Sequence, residues 1–174
     1  MTDLRYPIGK FEKPATVSAA ERAALIRDIA EAPAKLKAAV AGLSEKQLDT
    51  PYRPGGWTVR QVAHHLPDSH MNAYVRHKLA VTEDEPTIKP YEEGRWAELV
   101  DGKSAPVAVS IQLLEALHDR WSAFLRSLKA EQFSRTFMHP ESGRWTLDQS
   151  VGMYGWHGKH HVAHITSLRQ REGF

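Results

Sequence analysis

Four histidines fall at positions 157, 160, 161 and 164 of a 174-residue chain that holds ten histidines and no cysteine. Without cysteine there are no disulfides, no thiolate nucleophiles and no cysteine-based zinc or iron–sulfur sites. A metal site in this chain must therefore be built from imidazole, with carboxylate or water completing it. His157 and His161 stand four residues apart, a spacing that on a helix brings two rings together on one face and suits a single ion. The cluster lies away from either end of the chain, so it is not a purification tag. A catalytic zinc typically takes three protein ligands and one water. The third donor must then come from His64, His65, His70, His77, His118 or His139. His118, in mid-helix beside Asp119, and His139, before Pro140, are isolated and read as structural.

The helices that carry these residues can be placed from their capping signals. Thr146-Leu-Asp-Gln149 is a capping box that starts a last helix over about 147–169. Its apolar stripe is Leu147, Val151, Tyr154, Gly158, Val162 and Ile165. On the helical wheel His161 lies about 40° from the stripe's centre, His157 about 80°, His164 about 100° and His160 about 140°. His157 and His161 thus point partly inward, and His160 points to solvent or a partner. Gly158, between the inward pair, leaves room for an ion or ligand to approach. Thr58-Val-Arg-Gln61 is a second capping box and opens a helix to near Leu79, with Pro67 disturbing one turn. Against its stripe of Val59, Val62, Ala63 and Leu66, His65 lies about 110° away and His64 about 150°. His65 is the better third ligand.

The two helix starts echo each other, each placing Trp, Thr and Gln in the same register at Trp57-Thr-Val-Arg-Gln61 and Trp145-Thr-Leu-Asp-Gln149. His65 and His161 reach matching depths only if their helices run antiparallel. The connection over 82–103, with Pro86, Pro90 and Gly102, is long enough to permit that. Ser18-Ala-Ala-Glu21 caps a first helix over 19–43, which Pro33 should kink or split. Leu114, Leu117, Trp121, Phe124, Leu125 and Leu128 mark a third helix over about 107–129. Residues 1–17 read as an extended arm pinned by Tyr6 and Phe11, 44–56 as a loop, and 130–145 as a loop or short hairpin. No segment alternates at period two over more than a few residues. The fold class is all-α: one domain over 1–174, a four-helix bundle in up-down-down-up order with a long crossover between helices 2 and 3.

Composition narrows the function. Hydrophobic residues at 41% and charged residues at 25% support a packed core. A net charge of +2 with no basic stripe argues against nucleic acid as a partner. The start has no apolar signal region, and no segment has the roughly 18 apolar residues of a membrane span. A soluble, cytoplasmic protein acting on a small molecule is expected. Trp156, on the outer face of the last helix, suggests a partner surface.

Two stretches carry a resemblance: Pro54-Gly-Gly-Trp-Thr-Val-Arg-Gln-Val-Ala-His-His65, within 49–72, and Tyr154-Gly-Trp-His-Gly-Lys-His-His-Val-Ala-His-Ile165. With Tyr6-Pro-Ile-Gly9 and Lys89-Pro-Tyr91, they make the chain similar to the DinB superfamily, and within it to the YfiT-like branch of metal-dependent hydrolases. The resemblance implies an up-down-down-up bundle, a homodimer and one divalent metal per chain, zinc or nickel. It also implies His65, His157 and His161 as the ligands, with His164 a neighbour. Pro67 departs from the family pattern. Three neutral imidazoles leave the ion its full charge, so it can acidify a bound water for hydrolysis or a thiol for S-transfer. The wider superfamily includes thiol S-transferases of the bacillithiol type, which keeps both reactions open. No general base stands out. Asp68, Asn72 and Arg76, one to three turns beyond His65, could orient water or anchor an anionic substrate. A non-catalytic, metal-stabilised bundle is the remaining alternative. It would close the site with a fourth protein ligand, for which His164 is nearest.

Overall fold

The computed structural model describes residues 3–174; Met1 and Thr2, the first residues of the expected arm, lie outside it. In chain order the elements are α1 (Ala19–Val40), α2 (Glu45–Leu48), α3 (Val59–Thr82), α4 (Glu93–Trp96) and α5 (Val100–Ser104). These are followed by α6 (Val107–Ser127), a 3-10 turn (Ala130–Ser134), β1 (Thr136–His139), β2 (Gly143–Thr146) and α7 (Leu147–Glu172). The three expected capping boxes are all formed, by Ser18 with Glu21, Thr58 with Gln61 and Thr146 with Gln149. A fourth, Ser44 with Gln47, starts the short α2.

Side-chain pairs fix the helix directions. Arg22 meets Asp148 at 2.6 Å, Asp28 meets Lys159 at 2.8 Å, and Arg169 donates to the Ala39 carbonyl at 2.9 Å, so α1 and α7 run parallel. His64 meets Ser110 and His70 meets His118, so α3 and α6 also run parallel. His77 meets Ser150 while His65 meets His157, which makes α3 and α7 antiparallel. The order is up-down-down-up. Two consecutive parallel helices require the chain to travel back the full length of α3, which residues 83–106 do. That crossover is stitched to β1 by Ile88 donating to the Met138 carbonyl and Met138 to the Pro86 carbonyl, both at 2.9 Å. Arg60 fixes its far end. This buried guanidinium bonds Asp49, Glu45 and the Ala105 carbonyl.

Pro33 does not split α1, which runs through from Ala19 to Val40, and α3 likewise runs through Pro67. Both prolines are buried, and helix packing on either side holds the turn that each lacks a donor for. The 130–145 segment is a hairpin, pairing Thr136 with Thr146 and His139 with Gly143, and Gly143 turns at φ 77°. Among the described residues no helix is long and apolar enough to cross a membrane.

The bundle interior holds two larger apolar cores separated by a polar layer, and a third, smaller cluster of Ala80, Ile88 and Phe137 lies where the crossover meets the hairpin. One core gathers Leu36, Val62, Leu66, Leu114, Ile165 and Leu168. The other gathers Ile26, Ile29, Trp121, Leu125, Leu147 and Val151. Between them, on α3, α6 and α7, sit His65, His70, His118, His157 and His161. Polar side chains at mid-bundle are costly unless they find partners, and histidines supply them to one another.

Candidate metal centre

Three imidazoles meet at the α3–α7 seam. Donor nitrogens of His65, His157 and His161 all lie within 4.8 Å of one another, and Nε2 of His65 is 3.4 Å from Nε2 of His157. Two nitrogens each about 2.0–2.1 Å from one tetrahedral ion stand about 3.4 Å apart, so the donor set fits a single divalent cation. The i, i+4 spacing on α7 supplies two rings, with centroids 4.5 Å apart, and the antiparallel α3 supplies the third at matching depth. Trp57, just ahead of the α3 cap, packs on His65 at 4.7 Å and lies parallel to His161 at 6.4 Å, walling one side.

Burial keeps these rings neutral. It pushes His65 down to about 4 and holds His157 and His161 well below the usual histidine range, helped by repulsion among the neighbouring imidazoles. Neutral imidazole is the form that binds metal. The three rings form one wall of a cavity of about 420 Å³ that is also lined by Ser69, Arg76, Tyr91, His139 and Tyr154.

The other expected residues fall as follows. Arg76 lines the cavity, donating from Nη2 to the Lys89 carbonyl at 3.2 Å; its buried Nε–H has no partner among the described residues. Asn72 donates to the Asp68 carbonyl at 2.9 Å and lines a separate groove beneath the crossover. Asp68 is half-buried, and burial together with Asp101 raises its carboxyl to about 6, but it is not part of the cavity wall. His164 sits beside His161, with Nδ1 3.4 Å from Nδ1 of that ring and Nε2 donating to the Arg5 carbonyl at 3.0 Å.

Four local expectations are corrected. His160 does not face solvent: it is 7% exposed, stacked on Trp156 at 4.2 Å and covered by Tyr6 of the arm. Trp156 does not stand free on the outer face: it is half-buried and packs against Phe11 of the arm, centroids 5.9 Å apart. His64 is buried under the crossover, bonded to Ser110 Oγ at 2.7 Å and the Ala105 carbonyl at 3.0 Å. Gly158 faces Ala32 of α1, where a Cβ would stand 3.0 Å from the Ala32 Cβ; its role is close helix approach. In each case a segment outside the helix, the arm, the crossover or the neighbouring α1, covers the face. Sequence reading also missed Ser69, Tyr91 and His139 as cavity residues, since the crossover and hairpin bring the last two there. Lys89-Pro-Tyr91 was the one signal for Tyr91.

A sequence profile described as the DinB superfamily matches residues 28–165. The chain belongs to the DinB superfamily. Within it, a Bacillus cereus protein named "Putative metal-dependent hydrolase" is 55% identical over 171 residues, 98% of each chain. A Bacillus mycoides relative of the same description is also 55% identical over the same span. YfiT from Bacillus subtilis, described as a probable metal-dependent hydrolase with an unusual four-helix bundle topology, superposes with a TM-score of 0.97 at 50% identity, covering 99% of both chains. The four-helix bundle protein TT2238 shares the fold alone, with a TM-score of 0.58 at 16% identity, covering 84% of this chain and 98% of its own.

Proposed function

We propose that this DinB-superfamily protein is a metal-dependent hydrolase of small molecules. In this reading His65, His157 and His161 hold one divalent ion, zinc or nickel, per chain. The observation that carries it is the convergence of three neutral imidazoles on an open cavity, with the nearest fourth candidate engaged elsewhere. His164 spends Nε2 on the Arg5 carbonyl and turns Nδ1 to His161. A site meant only to stabilise the bundle would close on a fourth protein ligand. Bound there, a divalent ion supplies Lewis acidity and lowers the pKa of a water it holds toward neutrality.

The chain's own residues then have separable tasks. Trp57 holds the rings of His65 and His161 in place and screens one side from bulk water. Arg76 gives the cavity wall a guanidinium, suited to an anionic group on the substrate. Tyr91 and Tyr154, whose phenols burial keeps protonated well past neutral pH, offer O–H donors to a substrate oxygen. The test is turnover by zinc- or nickel-loaded protein offered small esters and amides, with and without a low-molecular-weight thiol. Hydrolysis without thiol, abolished by a chelator and restored by metal, is the expected result. Turnover only with thiol would replace the hydrolase reading by S-transfer.

A further inference from the structure

Behind the cavity a line of hydrogen bonds runs from His157 through all four long helices. Nδ1 of His157 on α7 lies 3.0 Å from Nε2 of His70 on α3. Nδ1 of His70 lies 2.8 Å from Nε2 of His118 on α6, and Nδ1 of His118 lies 2.5 Å from the carbonyl oxygen of Ile29 on α1. His70 is fully buried and His118 is 1% exposed; neither hydrogen-bonds a carboxylate among the described residues.

The protons in this line are ordered from its far end. A carbonyl only accepts, so His118 carries its hydrogen on Nδ1. A neutral imidazole has one N–H, so Nε2 of His118 must accept and Nδ1 of His70 must donate. By the same step Nε2 of His70 accepts and Nδ1 of His157 donates. That leaves Nε2 of His157 with a free lone pair, on the side that faces Nε2 of His65. The anchor itself has a cause in the sequence. Pro33 has no N–H, so the Ile29 carbonyl four residues earlier lacks its helical donor, and His118 takes that place.

We propose that the Ile29 carbonyl, acting through His118 and His70, fixes the tautomer and ring orientation of His157 and so presents its Nε2 to the metal. His70 and His118 are positioning residues, and the inference rests on the three-histidine centre proposed above. Metal-binding histidines in general hold their second ring nitrogen on a carboxylate, carbonyl or water, and loss of that partner costs about 10–100-fold in affinity. Here the partner is a relay of two imidazoles ending on a carbonyl that a proline has freed.

The test is zinc affinity by competition with a chromophoric chelator, together with long-range 1H–15N spectra of 15N-histidine-labelled metal-free protein. In the unsubstituted protein the spectra should show His157, His70 and His118 as Nδ1–H tautomers. His70→Leu and His118→Leu should bind zinc about 10–100-fold more weakly and should lose the single His157 tautomer. His70→Gln, whose amide can accept from His157 and donate to His118, should stay within a few-fold of the original affinity. An Nε2–H tautomer at His157 in the unsubstituted protein would overturn the proposal even if the leucine variants fail to fold. So would unchanged affinity in folded His70→Leu. His157→Ala separates the two readings. If it keeps its zinc, the centre itself is wrong; if it loses zinc while His70→Leu does not, the centre stands and the relay falls.

Discussion

Trp121 donates its indole N–H to Nδ1 of His77 at 3.1 Å, in the apolar core that holds Trp121. The proton of His77 is therefore on Nε2, which donates to Ser150 Oγ at 2.8 Å. Burial pushes this ring down to about 3, and His118 to about 4, from an ordinary 6.5. Such groups are neutral in the folded state and charge readily in the unfolded one. Their contribution is complete above the unfolded value of 6.5 and is lost as pH falls from there toward the folded value. Each costs about 1.4 kcal/mol per pH unit across that window. We expect guanidinium midpoints that are flat from pH 8 to 7 and fall steeply from pH 6.5 to 4. A midpoint unchanged between pH 7.5 and 5 would contradict this.

Metal content should separate the histidines cleanly. His65→Ala, His157→Ala and His161→Ala are each expected to lose stoichiometric zinc or nickel, measured by elemental analysis after desalting. His64→Ala and His160→Ala should retain it. His64→Ala should still lose about 1 kcal/mol of stability, because it abandons Ser110 and the Ala105 carbonyl. Full retention of metal in His161→Ala would sink the ligand assignment.

The contrast between His65 and His64 shows what the sequence could reveal. The wheel measures distance from one helix's own apolar stripe, and this picked out the three histidines that cluster, His65, His157 and His161, because α3 and α7 face each other in the bundle. It also assigned His160 and Trp156 to an open face, because a wheel has no knowledge of an arm or crossover folding over that face. The three long capping boxes were legible since each precedes a long periodic run; Ser44 with Gln47 opens only four helical residues, too few to show a period. The relay was not legible. His70 and His118 have no local pattern, and their partners come from other helices.

Arg76→Met should separate recognition from folding. A hydrogen bond to a charged group is worth about 1.5–3 kcal/mol, which is roughly 10–150-fold in KM. Under the hydrolase reading, a carboxylate-bearing ester should lose that factor in kcat/KM, while a neutral ester of the same size should be nearly unaffected. Lysine is a poor substitute for the planar fork and should restore only part. Equal losses on both esters would assign Arg76 to holding the Lys89 carbonyl instead of the substrate.

Gly158 tests how the α1–α7 contact supports the site. Gly152, Gly155 and Gly158 lie at three-residue spacing against α1 and the arm; a Cβ at Gly155 would stand 3.0 Å from Leu25, and one at Gly158 3.0 Å from Ala32. Alanine is intrinsically better than glycine in a helix by about 1 kcal/mol, whereas overpacking costs about 1–3 kcal/mol. The second effect should win in Gly158→Ala, because the Ala32 Cβ that it meets has no side-chain torsion through which to move away. Since Gly158 lies between His157 and His161, the displaced turn should also weaken zinc binding. Ala32→Gly makes room for the new methyl group, so the double variant should recover both stability and affinity relative to Gly158→Ala. The cycle is measured by denaturant melts and chelator competition on the four proteins. Additive effects of the two substitutions would show that the close approach of α1 and α7 at this point does not position the histidines.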